Sequence, residues 1–485
     1  MKSKYQPFLR SELIKVIENF FDILVVFGSL IIYAILSYYR ANGVFPDIFQ
    51  QFIETFYSIA SYSLYLLVVF FLFRIYKPSV FLKSYLSVMK SIALSLILSN
   101  IVLVIFTFIN GDQMLFSPMG VIGVMYIQMV IFSIYKYLVH RAVSNLIKIR
   151  CMVIGTREQA IELAKEFFQD DDHKKYVTIL AFEINKNLPD NLVELITEVD
   201  EIYLSPGLSD PNKHFIVQHS IAQASKSVYL VPKTYEISLI NSKDDCIDDT
   251  LLLHIPVMRL TFEQKFIKRA FDIVVSGFAI IFLLPLFLII SCIIKFQDDG
   301  PVLYKQTRYK RNNVPFSVYK FRSMRVNQTK EEINKRASEN DTRITKIGKF
   351  LRKTRFDELP QLFNVFLGDM SLVGPRPLIK EEIDEAIKDI PEFYFRSNVK
   401  PGLTGLAQVM GKYDTQAKEK IRYDLLYVKK SSFWYDLKII ILTVKVLFTK
   451  GSVVSDSNTK SIYEILNENH LTYIENLNYI RIDIS

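Results

Sequence analysis

Residues 273–294 read IVVSGFAIIFLLPLFLIISCII, a run of 22 residues without a charged side chain. Its length suits a membrane, since a spanning helix needs about 17–25 residues. Pro285 lies near the middle of the run, where a proline removes one helix hydrogen bond and clashes with the preceding turn. Basic residues flank both ends: Lys265, Lys268 and Arg269 before the run and Lys295 after it. We therefore expect a re-entrant membrane helix over 265–295 that breaks at Leu284-Pro285, with a straight span kinked at Pro285 as the alternative.

Four more uncharged runs lie upstream, at 23–39, 55–73, 91–111 and 113–135. Each is close to the length of a spanning helix, which predicts a four-helix transmembrane bundle over 1–147. Lysine and arginine concentrate before the first run, between the second and the third, and after the fourth. The positive-inside rule then places both ends of the bundle, and the chain that follows it, in the cytoplasm.

The composition of the whole chain agrees with a membrane protein. Its 485 residues are 50% hydrophobic, and 59 basic minus 50 acidic residues give a net charge of +9. The high hydrophobic fraction argues against a disordered protein and against an ordinary soluble enzyme. The positive charge fits anionic lipid, phosphate-bearing substrates or nucleic acid without choosing among them. The three cysteines and six histidines show neither a disulfide framework nor zinc-ligand spacing.

Residues 148–255 alternate short β runs with helical periodicity, which predicts a Rossmann-like α/β domain. Dinucleotide binding needs G-x-G-x-x-G after the first strand, so that the backbone can approach a pyrophosphate. Here GTREQA follows the first strand, with Gly155 as its single glycine. Over 151–255, 9 basic minus 18 acidic residues give −9, which also opposes a phosphate. We expect a degenerate domain with a structural or regulatory role, and a solvated loop rather than a metal site at the acidic run 170–172.

The basic charge of the chain is concentrated after this domain, since 37 basic minus 26 acidic residues over 256–485 give +11. Residues 300–324 read as a basic β-hairpin, and a headgroup-binding patch is one interpretation of it. Asp357 and Glu358 follow, and we expect them to open an amphipathic helix with Pro360 in its first turn. On that basis alone the two carboxylates are helix caps.

Arginines surround the two carboxylates in sequence, and this favours chemistry over capping. Arg352 and Arg355 precede Asp357, and Arg376 follows in the rigid Gly-Pro-Arg-Pro stretch 374–377. Carboxylates beside fixed guanidinium groups suit phosphoryl transfer, in which one anion attacks or binds Mg²⁺ while arginines take up charge on the phosphate oxygens.

Three ordered motifs carry a family resemblance: KFRSM at 320–324, DELPQLFNVFLGDMSLVGPRP at 357–377 and KPGLTGLAQV at 400–409. They resemble the bacterial polyprenyl-phosphate sugar-1-phosphate transferases, also called monotopic phosphoglycosyl transferases. The resemblance extends over about 265–448, and the upstream bundle and α/β domain are similar to the large form of the family. It implies an α+β monotopic catalytic domain over 256–450 with a re-entrant helix, followed by a C-terminal tail at 451–485.

The resemblance also implies roles for individual residues. Asp357 matches the nucleophile and Glu358 its Mg²⁺-binding neighbour. Further positions match phosphate, metal or nucleotide contacts and a substrate-side loop: Lys320, Arg322, Arg352, Arg376 and Asp424 for the contacts, and Gly402, Thr404, Gly405 and Gln408 for the loop. The chain departs from the family pattern at Leu284, where a serine usually precedes the proline, and at Lys310, where a glycine is usual.

By resemblance, the protein is an enzyme that transfers a sugar 1-phosphate, with glucose or galactose expected, from a UDP-sugar to undecaprenyl phosphate and releases UMP. The reaction would pass through an aspartyl-phosphosugar and initiate capsule, exopolysaccharide or O-antigen synthesis. The family implies Mg²⁺ as cofactor and a multi-pass location in the bacterial inner membrane, with a cytoplasmic catalytic domain. The further partners that it implies are membrane lipids, a second copy of the chain and downstream glycosyltransferases, but not nucleic acid. Two alternatives stay open: a membrane-tethered nucleotide-sugar dehydratase or epimerase, and a non-catalytic scaffold of polysaccharide assembly.

Overall fold

The computed structural model describes residues 118–144, 149–169, 175–297, 300–325, 341–411, 417–448 and 461–483, except 225, 311–312 and 342. It also describes parts of 20–43 and 85–100. The chain splits into two compact units. Residues 1–231 and 458–485 form the first unit, and residues 232–457 form the second. The second unit therefore begins before the expected boundary at 255, because Ile237 packs in one cluster with Ile421 and Leu425 of the second unit.

Two apolar helices of the first unit pack against each other, α1 (Phe20–Tyr33) and α2 (Pro118–Ser144). At one end of the pair, Lys136 Nζ lies 2.7 Å from Asp22 Oδ1, and both side chains are buried. At the other end, a Cβ on Gly123 would lie 3.5 Å from the ring of Tyr33. The helices are therefore antiparallel, and the start of the first expected span lies beside the end of the fourth. The second expected span, 55–73, lies outside the described residues, as does most of the third, 91–111.

A six-stranded sheet forms the remainder of the first unit. Its parallel part consists of β1 (Ile149–Gly155), β2 (Lys175–Phe182), β3 (Glu201–Leu204) and β4 (Ser227–Leu230) in the order β2-β1-β3-β4. The intervening helices are α3 (Arg157–Gln169), α4 (Leu192–Glu198) and α5 (Asp210–Gln218). Apolar side chains on both faces of β1, such as Met152 and Val153, are fully buried, as expected of a central parallel strand.

The C-terminal segment, expected as a separate tail, completes this sheet. Helix α14 (Ile462–Glu468) leads into β11 (Thr472–Glu475) and β12 (Tyr479–Asp483). Strand β12 pairs antiparallel with β2, and β11 pairs with β12. The pairing covers an otherwise open edge of the sheet and buries Ile480 and Ile482.

The second unit contains the long helix α7 (Phe262–Gln297) and two antiparallel hairpins, one of β5 (Lys243–Ile247) and β6 (Thr250–His254), the other of β7 (Leu303–Lys310) and β8 (Val314–Phe321). A short parallel pair, β9 (Ser371–Val373) and β10 (Gly402–Thr404), lies in the same unit. The remaining helices are α6 (Thr234–Ser238), α8 (Lys346–Thr354), α9 (Gln361–Leu367), α10 (Lys380–Asp389), α11 (Leu406–Met410), α12 (Ala417–Lys430) and α13 (Phe433–Phe448).

Helix α7 is a single helix with Pro285 inside it, so the break expected at Leu284-Pro285 does not appear as an interruption. A proline costs one helix hydrogen bond, and packing on both sides of it holds the helix together. One face of α7 is buried in the unit, at Asp272, Ser276, Phe287, Ile290 and Ile294. The opposite face is exposed and apolar, with Phe278, Ile281 and Phe282 each 73–75% accessible.

Helix α7 and a segment of α2, Ile122–Val139, are long and apolar enough to cross a membrane. The protein thus combines an α/β region with two candidate membrane helices.

Candidate active site

Asp357 and Glu358 lie in a separate 3-10 turn, Phe356–Glu358, between α8 and α9. Helix α8 ends because Arg355 adopts a left-handed conformation with a φ of 61°. Pro360 then stands as the N-cap residue of α9. The sequence predicted that the two carboxylates open the amphipathic helix, and this prediction is wrong. They lie in the turn before α9, because the reversal at Arg355 and the proline at 360 confine them there.

Asn364 fixes helix α9 against strand β8. Its Oδ1 accepts a hydrogen bond of 3.0 Å from the backbone N–H of Tyr319, and its Nδ2 donates one of 2.7 Å to the carbonyl of Ser317. Asn364 is fully buried, so water does not compete for these bonds. The amide replaces a neighbouring strand at this edge of β8, and it brings Lys320 of β8 beside the turn that carries the carboxylates.

Glu358 is held by two cations. Its Oε1 lies 2.8 Å from Lys320 Nζ and 3.3 Å from Arg376 Nη2. Burial alone would raise the pKa of this carboxyl, but the charges of Arg376 and Lys320 outweigh burial and lower the pKa of Glu358 to about 2. Glu358 is therefore an ionised, fixed carboxylate at neutral pH.

Asp357 lies in a different environment. The residue is 9% exposed, and its Oδ1 is buried without a hydrogen-bond partner among the described residues. Burial and the neighbouring charge of Glu358 raise the pKa of Asp357, while Lys320 and Arg352 act in the opposite direction. A raised pKa means a more basic oxygen, and a carboxylate oxygen without a donor is available to attack an electrophile or to bind a cation.

A pocket opens beside this turn. It is lined by Arg308, Val318, Lys320, Glu358, Gln361, Arg376, Pro377, Gly402, Leu403 and Gln408. Three cations and one carboxylate among the lining residues give the pocket a net positive charge, which favours an anionic ligand.

Five of the lining residues were not predicted as site residues, and two of these five, Arg308 and Gln361, have polar side chains. Strand β7 pairs antiparallel with β8 so that Tyr304 stands opposite Lys320. Arg308, four residues after Tyr304, therefore points to the same face as Lys320, and this spacing is the signal that identifies it. Gln361 is buried and directly follows Asp-Glu-Leu-Pro, so its place in the motif indicates it.

Strand β10 and the loop after it approach the Gly-Pro-Arg-Pro stretch very closely. A Cβ on Gly402 would lie 2.0 Å from the backbone nitrogen of Gly374, and a Cβ on Gly405 would lie 2.2 Å from its carbonyl oxygen. Glycine is thus required where these two segments meet. Thr404 bonds Thr443 of α13 at 2.6 Å between the hydroxyl oxygens, so its side chain faces away from the pocket. Gln408 does line it, with an Oε1 that is buried and has no partner among the described residues.

Asp424 is not in the pocket but behind it. It is buried and pairs with Arg396, with 2.9 Å between Asp424 Oδ2 and Arg396 Nε. Burial raises the pKa of Asp424. Arg396 also donates a hydrogen bond of 2.8 Å to the backbone carbonyl of Arg376. Asp424 therefore supports the loop that carries Arg376, and it is not among the residues that line the pocket.

Arg352 and Arg322 are also outside the set of lining residues. The Nε of Arg352 donates to Ser323 Oγ at 2.9 Å, and its charge acts on Asp357 by lowering the pKa of that carboxyl. Arg322 follows β8 and donates its backbone N–H to Val302.

The donor set fits a magnesium ion that shares its coordination with a substrate. Mg²⁺ in proteins commonly takes one or two carboxylates together with phosphate oxygens and water. Asp357 and Glu358 supply adjacent carboxylates, and the buried Oδ1 of Asp357 is an oxygen that a cation would satisfy. Within the part of the chain that the structure describes, no group of three or more His, Cys, Asp or Glu side chains could hold a metal alone. The acidic run 170–172 lies outside that part.

Comparison with known proteins identifies the part of the chain that contains this pocket. Residues 263–450 match the family model described as bacterial sugar transferase. The chain is 38% identical over 251 residues to a Klebsiella pneumoniae protein named UDP-glucose:undecaprenyl-phosphate glucose-1-phosphate transferase, with 51% of this chain and 54% of that protein covered. It is 36% identical over 255 residues to the undecaprenyl-phosphate galactose phosphotransferase of Salmonella typhimurium, covering 49% and 52%. The matches thus span about half the length of these relatives.

A shorter relative is covered almost completely. The exopolysaccharide production protein PSS of Rhizobium leguminosarum bv. phaseoli is 42% identical over 199 residues, which are 38% of this chain and 96% of that protein. Residues 263–450, which match the family model, contain the turn of Asp357 and Glu358, the loop of Arg376 and the pocket beside them. The chain belongs to the bacterial sugar transferase family.

Proposed function

We propose that the protein transfers a sugar 1-phosphate from a UDP-sugar to undecaprenyl phosphate, releases UMP and so initiates the synthesis of a surface polysaccharide. The observation that carries the proposal is a pair of unlike carboxylates beside a cationic pocket, which Glu358 lines and next to which Asp357 is buried. Asp357 is buried with an unpartnered oxygen, whereas Glu358 beside it is fixed by Lys320 and Arg376. The names of the relatives supply the nucleotide-sugar donor and the lipid acceptor.

In the first step, a carboxylate oxygen of Asp357 attacks the phosphorus that bears the sugar. The new bond is an acyl phosphate, and the bond between this phosphorus and the UMP oxygen breaks with its electron pair leaving on UMP. Arg376, Arg308 and Lys320 line the pocket and would take up the charge of the diphosphate during this transfer. A magnesium ion held by Glu358 and Asp357 would neutralise further phosphate charge.

In the second step, an oxygen of undecaprenyl phosphate attacks the same phosphorus. The bond to Asp357 breaks, the carboxylate is restored, and the product is a lipid-linked diphosphate sugar. One phosphate linkage is exchanged for another in each step, so a single site serves two anionic substrates in turn.

The lipid acceptor requires the site to lie at a membrane, and helix α7 supports this. Arg269 near its start donates to the carbonyls of Val365 and Phe366, while Phe287 beyond the proline packs its ring 5.9 Å from that of Phe363. Both halves of the apolar helix thus contact the seven-residue helix α9. These contacts favour a re-entrant α7 that bends at Pro285 while remaining one helix, with both ends on the cytoplasmic side, over a straight span.

The antiparallel pair α1 and α2 supports the four-span bundle in the same way. The buried contact between Asp22 and Lys136 brings the start of the first run beside the end of the fourth, as an even number of spans requires. Together with the positive-inside rule, this favours a multi-pass protein of the inner membrane whose catalytic unit faces the cytoplasm.

The degenerate Rossmann-like domain, in this proposal, binds no dinucleotide. A Cβ on Gly155 would lie 1.9 Å from Ser205 Oγ, and Gln159 accepts a hydrogen bond of 2.7 Å from the backbone of Gly207. These side chains occupy the crevice between β1 and β3, where such folds bind a pyrophosphate. These contacts argue against the dehydratase or epimerase alternative, which requires a bound cofactor, and a scaffold leaves the pairing of Asp357 with Glu358 unexplained.

The proposal is tested with the full chain in lipid nanodiscs, undecaprenyl phosphate, Mg²⁺ and a panel of UDP-sugars. We expect UMP release that requires both lipid phosphate and one sugar, with UDP-glucose and UDP-galactose as the first candidates. The matched control is Asp357→Asn, which keeps the size of the side chain but is a poor nucleophile. Equal UMP release by this variant, or no release with any sugar, would refute the proposed function.

A further inference from the structure

Helix α7 takes the place of a neighbouring strand along the free edge of β9. On its other side, β9 pairs with β10. Along the free edge, Asp272 Oδ1 accepts the backbone N–H of Leu372 at 2.9 Å and the hydroxyl of Ser371 at 3.1 Å. Lys268 Nζ donates to the carbonyl of Val373 at 2.9 Å.

These contacts are built into the interior of the unit. Asp272 is 2% exposed, and Lys268 also bonds Asp436 at 2.5 Å and the hydroxyl of Tyr427 at 3.0 Å. Residues four apart lie on one face of a helix, so α7 presents an acceptor and a donor side by side. The bonds to β9 thus come from a helix whose opposite face is apolar and exposed.

Strand β9 leads directly into the loop of Arg376. The backbone N–H of Gly374 bonds Thr404, and the carbonyl of Pro375 accepts from Gly402, so β10 holds one side of the loop. Arg376 reaches Glu358 at 3.3 Å from this loop. Because β9 has only three residues, a shift of its free edge is passed on to Arg376.

We infer that Asp272, assisted by Lys268, is a positioning residue by which the apolar helix α7 sets Arg376 against Glu358. The inference rests on the proposed function and adds to it that the seating of this helix is part of the active-site geometry. Asp272 acts through Leu372 and the loop of Arg376 and touches no substrate.

The test compares variants of the full chain in nanodiscs. Asp272→Leu removes the acceptor, whereas Asp272→Asn keeps an acceptor oxygen of the same shape. Ser276→Ala is the matched control, because Ser276 is buried one turn further along the same face and its hydroxyl bonds the carbonyls of Asp272 and Ile273 in its own helix. We expect Asp272→Leu to lower kcat about 10- to 100-fold, Asp272→Asn to recover most of that loss, and Ser276→Ala to match the wild type.

A double-mutant cycle with Arg376→Ala separates positioning from general destabilisation. If Asp272 acts through Arg376, adding Asp272→Leu to the Arg376→Ala variant lowers kcat little further. The inference would be overturned if kcat of the double variant fell by the product of the two single-variant factors. It would also be overturned if Asp272→Leu had the kcat of the wild type.

The same cycle is measured by equilibrium binding of UDP, which needs no turnover. If the wild type binds UDP but turns over no UDP-sugar, the proposed function is contradicted, and the cycle of UDP affinities still tests the positioning role of Asp272. If the wild type neither binds UDP nor turns over a UDP-sugar, both the proposed function and the positioning role are contradicted.

Discussion

Replacing Lys320 with methionine removes one of the two cations on Glu358, and the structure gives the size of the effect. The fall in the pKa of Glu358 from 4.5 to about 2 corresponds to about 3 kcal/mol in favour of the ionised form. Burial opposes this fall, and the charges of Arg376 and Lys320 are the two largest causes that lower the pKa. Glu358 is only 15% exposed, so solvent screens the pair weakly. We expect Lys320→Met to cost roughly 1–2 kcal/mol of stability at pH 7.

The sign of the pH dependence follows from the direction of the shift. The pKa of Glu358 is lower in the folded than in the unfolded state, so its contribution is present above the unfolded pKa near 4.5 and is lost as the pH falls toward 2. The unfolded-state pKa of Glu358 is the same in both proteins, so the stability gap between wild type and Lys320→Met should be full at pH 7 and should close only as the pH falls toward the folded-state value of about 2 in the wild type. Lys320 also lowers the pKa of Asp357, so the acid limb of the rate profile should move to higher pH in the variant.

Thermal unfolding in nanodiscs across this pH range measures the gap, and UMP release across the same range measures the acid limb. Lys349→Met is the matched control, since it removes the same charge from an exposed position of α8. A Lys320→Met variant as stable as wild type at pH 7, or a gap of the same size at about pH 2, would refute the reasoning.

Three further predictions address the metal, the topology and the α/β domain. Glu358→Gln removes a charge that raises the pKa of Asp357, so the acid limb should move to lower pH and the Mg²⁺ dependence of UMP release should weaken; an unchanged Mg²⁺ titration would contradict the role of Glu358. With the three native cysteines replaced, Thr261→Cys and Asn313→Cys should both resist an impermeant maleimide in intact cells and react after lysis, whereas labelling at 313 from outside would mean that α7 spans the membrane. Isothermal titration of the full chain with NAD should show no binding, and micromolar affinity would contradict the occupied crevice.

Local features of the sequence predicted the parts of the site that lie within one motif. The uncharged run 273–294 identified α7 because length and charge decide membrane affinity. Asp357 and Glu358 stood out because arginines surround them, and Arg376 and Lys320 do contact Glu358. The family was predicted from three motifs, and the comparisons confirm it.

Contacts between distant segments could not be predicted from the sequence. Arg396 has no motif of its own, and only the fold places it between Asp424 and the carbonyl of Arg376. Likewise, the alternation of residues 479–483 is too short to show that β12 pairs with β2, about 300 residues away. Pro285 predicted a break because local propensity is unfavourable, but tertiary packing on both sides keeps α7 helical.

The most direct test of the central claim is to capture the covalent intermediate on Asp357. The full chain is mixed with Mg²⁺ and the UDP-sugar that it turns over, without lipid phosphate, quenched in denaturant and analysed by intact mass and peptide mapping. We predict a mass gain of one hexose 1-phosphate less water on the peptide that contains Asp357, which disappears when undecaprenyl phosphate is added. Turnover that proceeds with no adduct on Asp357, or an equal adduct in Asp357→Asn, would contradict the account.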